Sequence, residues 1–190
     1  MTTVAIVYHS GYGHTKKQAQ AVHAGAVAAG AAVELIGIDA EGNITDAAWV
    51  SLAAADAIVF GSPTYMGSVS WQFKKFADAS SKPWFAQVWK DKVAAGFTNS
   101  ASMNGDKLST IHYMFTLAMQ HSMVWVGTGM LPANAKAADR NDINYLGSAA
   151  GAMAQSPSDA STEEGPLPGD LATAELFGRR VVETAIRLGK

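Results

Sequence analysis

The chain has 190 residues, of which 48% are apolar and 16% charged, and its formal net charge is −2. That is an ordinary globular composition, long enough for one domain with a sizeable core, and it lacks the clustered Lys and Arg of a nucleic-acid binder. The chain contains no cysteine, which excludes disulfides, thiolate metal sites and a cysteine nucleophile.

The first apolar run, Val4–Tyr8, reads as a buried strand. It is too short for a signal core, no basic region or cleavage site accompanies it, and no stretch approaches the length of a membrane span. A cytoplasmic protein without an integral membrane segment is expected. The turn Ser10-Gly11-Tyr12-Gly13-His14-Thr15 leads into a helix over Thr15–Ala29. A small, hydroxyl-rich turn between strand and helix suits a phosphate. The free N–H groups and the positive dipole end of the helix face it, glycine lets the backbone approach, and hydroxyls donate.

Further strands are read at Ala32–Ile38, Ala57–Gly61, Val93–Thr98 and Met123–Gly127. Helices are read at Asp46–Ala54, Ser70–Ser80 and Lys107–Gln120, and a last one over Leu171–Leu188 with Asp170 as its N-cap. Strands apolar throughout belong in a parallel sheet covered on both faces. The β-α-β alternation predicts a three-layer α/β fold with an open, doubly wound, five-stranded parallel sheet. Residues 128–169 are rich in Gly, Pro, Ser, Asn and Ala with weak periodicity, and read as an insertion after strand five. One domain over residues 1–190 is expected.

In such a sheet ligands bind outside the carboxyl ends of the strands. Three loops there share one character: Ser10–Thr15; then Ser62, Pro63, Thr64, Tyr65, Met66 and Gly67; then Asn99, Ser100, Ala101, Ser102, Met103 and Asn104. Each is built of small, hydroxyl or amide residues around an aromatic or Met. A Gly-Lys-Ser/Thr triplet is absent, and the third glycine position of a dinucleotide loop is Lys16. A monophosphate held by hydroxyls, with a flat polar ring between the other two loops, fits better than a triphosphate or a dinucleotide.

Ser10–Thr15 resembles the phosphate loop of flavodoxin-like proteins. The run Phe60 to Gly67 resembles the second flavin loop of the WrbA family, FMN-dependent NAD(P)H:quinone oxidoreductases, and Leu117 to Val124 resembles that family's segment around a flavin-contacting histidine. The resemblance implies a flavodoxin-like fold. It gives the FMN phosphate to Ser10, Gly11, Tyr12, Gly13, His14 and Thr15, and the ring edge to Pro63, Thr64, Tyr65, Met66 and Gly67. The ring's polar rim falls to Thr98, Asn99, Ser100, Ala101, Ser102, Met103 and Asn104. Tyr12 would also line the nicotinamide side, Trp84 the substrate site, and His121 would touch the flavin. Where the family has arginine in the second loop this chain has Tyr65, and its third loop has no glycine before Gly105.

Sequence order constrains the last two residues. Helices Ser70–Ser80 and Lys107–Gln120 start at the ligand end and run away from it; the second travels roughly 20 Å at ~1.5 Å per residue. Trp84 and His121 follow those helices, so they belong at the far end from their own phosphate loop. From the residues alone His121 ends a helix and Trp84 packs locally. If they reach flavin and substrate as the resemblance implies, these belong to a neighbouring protomer, and the resemblance implies a homotetramer with shared sites. The activity implied is two-electron, ping-pong transfer from NADH or NADPH to a quinone, with no catalytic side chain and no metal. The alternatives are a flavodoxin-type one-electron carrier and a flavodoxin-like binding protein that has lost FMN.

Overall fold

Along β1 (Thr3–Tyr8) the side chains alternate between two hydrophobic layers. Val4, Ile6 and Tyr8 join one core cluster with Val22, Phe177 and Val181. Ala5 and Val7 join the other with Leu52, Phe73, Phe76, Ile111 and Met114. This is the burial on both faces that the continuous apolar strands require.

The computed structural model describes residues 1–189. The remaining strands are β2 (Ala32–Gly37), β3 (Ala57–Tyr65), β4 (Ser68–Val69), β5 (Val93–Ser100), β6 (Val124–Trp125) and β7 (Ala152–Gln155). The helices are α1 (His14–Ala28), α2 (Asp46–Ala54), α3 (Trp71–Ala79), α4 (Ser81–Phe85), α5 (Lys107–Gln120) and α6 (Pro168–Leu188). The order across the sheet is β2-β1-β3-β5-β6, all pairs parallel, which is the flavodoxin-like order.

The fifth strand position departs from expectation. Both β6 and β7 pair in parallel with β5, β6 against Val93 and Ala94 and β7 against Phe97 to Ser100. They are two pieces of one interrupted edge strand, so the excursion over residues 126–151 lies within strand five rather than after it. Thr128 closes its base, donating from N to the Ala149 carbonyl at 2.9 Å and from Oγ1 to the Ser148 carbonyl at 2.8 Å. These bonds join residues 20 or more apart, so local pattern does not reveal them.

Two other readings are corrected. Strand β3 continues past Gly61 to Tyr65, because Thr64 and Tyr65 find antiparallel partners in Val69 and Ser68. The reversal is the two-residue turn Met66-Gly67, with φ of 47° and 79°, the positive pair that suits the twist of a hairpin. Asp170 is not an N-cap: Leu167 holds that position and Pro168 opens the helix. Asp170 instead lies in the first turn, gripped by Arg140 at 2.8 and 2.7 Å and accepting from Gln155 N at 2.9 Å.

Among the described residues no helix is long and apolar enough to cross a membrane.

Candidate active site

The carboxyl ends of β1, β3 and β5 open onto a cavity of about 490 Å³, within the ~300–1,000 Å³ common for small-molecule sites. Tyr12, His14 and Thr15 come from the first loop, Pro63, Thr64 and Tyr65 from the second, and Asn99, Ser100 and Ala101 from the third. All three loops expected to share a ligand are brought together.

Ser10 Oγ accepts from the N–H groups of Gly13 and Lys16, each at 3.1 Å. Two accepted bonds occupy both lone pairs of a hydroxyl, so the capacity left to it is its own proton. That proton, beside the start of α1, is a donor for an anion. Gly13 caps the helix at φ 92°, a conformation cheap only for glycine. Behind Gly11, a Cβ would lie 2.5 Å from the Tyr65 hydroxyl, so the first and second loops approach to the limit that glycine allows. Tyr12 and Tyr65 meet edge-to-face with centroids 6.2 Å apart. Burial and the neighbouring Tyr12 push the Tyr65 phenol up, so it stays neutral.

Under the second and third loops lies a chain of hydroxyls. Thr64 Oγ1 is 2.8 Å from Thr98 Oγ1 and 2.8 Å from Thr110 Oγ1. Thr98 is fully buried and supports Thr64 rather than facing the cavity. Met66 and Gly67 form the hairpin tip, with Met66 wholly exposed. Met103 and Asn104 turn away and line a separate groove of about 460 Å³ with Leu108, Tyr145, Leu146 and Met153. Ser102 also lies off the cavity wall, its carbonyl accepting from Ser100 Oγ at 3.1 Å.

The fourth wall was not anticipated. Ser156, Pro157, Ser158, Ala160, Ser161 and Thr162 line the side of the cavity next to the first loop. His14 Nε2 donates to the carbonyls of Ala160 and Ser161 at 3.1 and 3.3 Å. Lys17 pairs with Glu163 at 2.9 Å, and Ser156 Oγ donates to Asn99 Oδ1 at 2.9 Å. The only signal in the sequence was the hydroxyl-rich composition of this segment.

Trp84 and His121 lie at the opposite end of the sheet, before β5 and β6, as sequence order requires. Trp84 is 43% exposed. His121 is not presented outward: it is 3% exposed, its ring is 4.1 Å from that of Trp89, and its Nε2 is 2.8 Å from Ser80 Oγ. Ser80 gives its proton to the Ala77 carbonyl at 2.6 Å, so Nε2 is the donor and Nδ1 is left buried without a partner. Burial pulls the His121 pKa down to about 4. Within its own protomer His121 is a neutral, enclosed imidazole packed into the core.

The family model for NADPH-dependent FMN reductases matches residues 3–137. The chain belongs to this family. Within it, a relative from Pseudomonas aeruginosa named flavodoxin FldP is 54% identical over 188 residues, 99% of each chain. An NAD(P)H dehydrogenase (quinone) from Paracoccus denitrificans is 32% identical, covering 99% of this reductase-family chain and 96% of its own. The crystal structure of a WrbA-like flavodoxin from Agrobacterium tumefaciens is 48% identical with TM-score 0.78, over 98% and 99% of the two chains. The family member described here is therefore WrbA-like.

The residues present fit FMN. His14 and Thr15 at the start of α1 line the cavity, and the loop that carries the free proton of Ser10 leads into them, which suits a phosphate. Aromatic Tyr12 and Tyr65 and the polar edge at Asn99 and Ser100 are suited to a flat heterocycle.

Proposed function

We propose that this chain is an FMN-dependent NAD(P)H:quinone oxidoreductase. The observation that carries the reading is the composition of the cavity wall. It holds hydroxyls, the Asn99 amide, aromatics and one imidazole, that of His14, whose Nε2 is committed to the Ala160 and Ser161 carbonyls, with no carboxylate, lysine or arginine among its lining residues. Such a wall binds and orients but supplies no acid–base pair, so the chemistry belongs to the bound cofactor. Bound FMN would supply that chemistry, a two-electron relay from NADH or NADPH to a quinone, with the residues of the three loops holding it.

The protein's part is positional. Ser10 to Thr15 hold the phosphate, with His14 also securing the fourth wall. Pro63, Thr64 and Tyr65 follow the ring edge, Thr64 being held by Thr98 and Thr110. Asn99, Ser100 and Ala101 meet the polar rim. Tyr12, 79% exposed at the cavity mouth, is placed for a nicotinamide and then a quinone stacking in turn, which gives ping-pong kinetics. We propose a homotetramer in which Trp84 of a neighbouring protomer completes the quinone site, and a cytoplasmic location for the single domain.

The test is the visible spectrum of the purified protein after FMN addition, with NADH and NADPH oxidation by benzoquinone followed in the same cuvette. Flavin binding with fast quinone-dependent turnover is expected. Flavin binding without turnover would leave the one-electron carrier, the reading favoured by the name of the 54% identical relative. Absence of both would sink the proposal in favour of a protein that has lost FMN.

A further inference from the structure

The third loop, without a glycine before Gly105, is held from below by Lys107. This residue opens α5, where the helix dipole disfavours a cation, yet it is 1% exposed. Its Nζ turns back under the loop and donates to the carbonyls of Ser102 at 2.7 Å, Met103 at 2.9 Å and Asn104 at 3.3 Å. All three ammonium donors are used. The Ser102 carbonyl is shared with Ser100 Oγ, and Ser100 lines the cavity. One carbonyl oxygen thus joins the ammonium to the cavity wall.

The charge is not neutralised by a direct carboxylate. Asp170 and Arg140 are the charged groups that act on it, the first favouring and the second opposing the ammonium. They are committed to each other as a two-point ion pair. A buried charge without its own counter-ion is costly, and burial brings the Lys107 pKa down to about 8. It therefore remains mainly cationic at neutral pH.

Hydride addition to a neutral isoalloxazine leaves one negative charge on the ring's polar side. We infer that Lys107 is a positioning residue that fixes the third loop and sets its positive charge behind Ser100, so that the cavity holds reduced FMN more tightly than oxidised FMN. The inference rests on the FMN reading above and on the third loop meeting the polar rim.

The test compares Lys107→Gln, which keeps a neutral donor for the loop carbonyls, with Lys107→Arg, which keeps the charge. Two quantities are read on the FMN-loaded proteins: the Kd for oxidised FMN by flavin fluorescence, and the midpoint potential by dye equilibration. Lys107→Gln is expected to hold oxidised FMN within about threefold of wild type but to lose about tenfold in preference for the reduced form. That is a fall of about 30 mV for a two-electron couple. Lys107→Arg should keep the wild-type potential. An unchanged potential in Lys107→Gln overturns the inference. If Lys107→Gln folds but takes up no FMN, the wild-type potential is measured from pH 7 to 9.5. A steeper fall through pH 8, as Lys107 discharges, supports the inference, and a straight line overturns it. Wild-type protein that takes up no FMN defeats the underlying reading instead, before any variant is made.

Discussion

Ser156 Oγ donates to Asn99 Oδ1 across 2.9 Å, tying the segment after β7 to the third loop. The bond occupies the amide oxygen of Asn99 and leaves its two N–H donors for the cavity that Asn99 lines. Ser156→Ala removes about 1 kcal/mol of orientation. FMN affinity measured by fluorescence quenching should drop about fivefold with the fold intact by circular dichroism. An unchanged Kd would mean that Asn99 does not meet the ring.

Ser10 is the most exacting residue of the first loop, since its oxygen is already filled by Gly13 N and Lys16 N. Ser10→Glu places a carboxylate where a phosphate is expected, and like charges in one site repel strongly. FMN binding should be lost, while riboflavin, which carries no phosphate, should bind as weakly as it does to wild type. Retained FMN binding would place the phosphate elsewhere.

Gly11 tests the contact between the first two loops. A Cβ there meets the Tyr65 hydroxyl at 2.5 Å and Tyr65 Cζ at 3.4 Å. Gly11→Ala should displace Tyr65 and weaken FMN binding several-fold, and Tyr65→Phe should relieve most of that loss, because only the oxygen is too close. A double-mutant cycle reads the coupling. Additive effects would show that the two residues act independently.

The first and second loops were legible because their chemistry is local: a strand end, a few small residues, then a helix start. Helix α2 was legible for the same reason, with Thr45 Oγ1 accepting from Ala48 N at 3.2 Å just before Asp46. What escaped depends on distant partners. His14 finds Ala160 146 residues away, across an excursion without periodicity, so the fourth wall left no pattern. Asp170 has the composition of a cap, but Arg140, 30 residues earlier, claims its carboxylate. His121 carried a role implied by resemblance, whereas Ser80 and Trp89 determine its burial, and neither adjoins it in sequence.

The Lys17–Glu163 pair ties the fourth wall to the start of α1, with Glu163 85% exposed. Exposed pairs contribute little and are screened by salt. Glu163→Gln should therefore speed FMN release by no more than about fivefold in low salt, and the difference from wild type should vanish near 1 M salt. Release followed by stopped-flow fluorescence checks this. A much larger, salt-independent effect would show that Glu163 acts on the ligand directly.

His121 gives the fold a specific acid sensitivity. Its folded pKa is about 4, against about 6.5 for the exposed residue in the unfolded chain. The unfolded state therefore takes up a proton first as pH falls, and stability declines between about pH 6.5 and 4. By pH 5 the loss from this group is about 2 kcal/mol, from 1.36 kcal/mol per unit over about 1.5 units. Urea unfolding at pH 7.5 and pH 5 should show that loss in wild type. His121→Gln keeps a donor for Ser80 Oγ but has no titration in this range, so it should be less stable at pH 7.5 yet lose about 2 kcal/mol less on acidification. Carboxylates common to both proteins cancel in the comparison. Equal acid losses in the two proteins would show that His121 is not held neutral in the core, and would reopen a solvent-facing position for its ring.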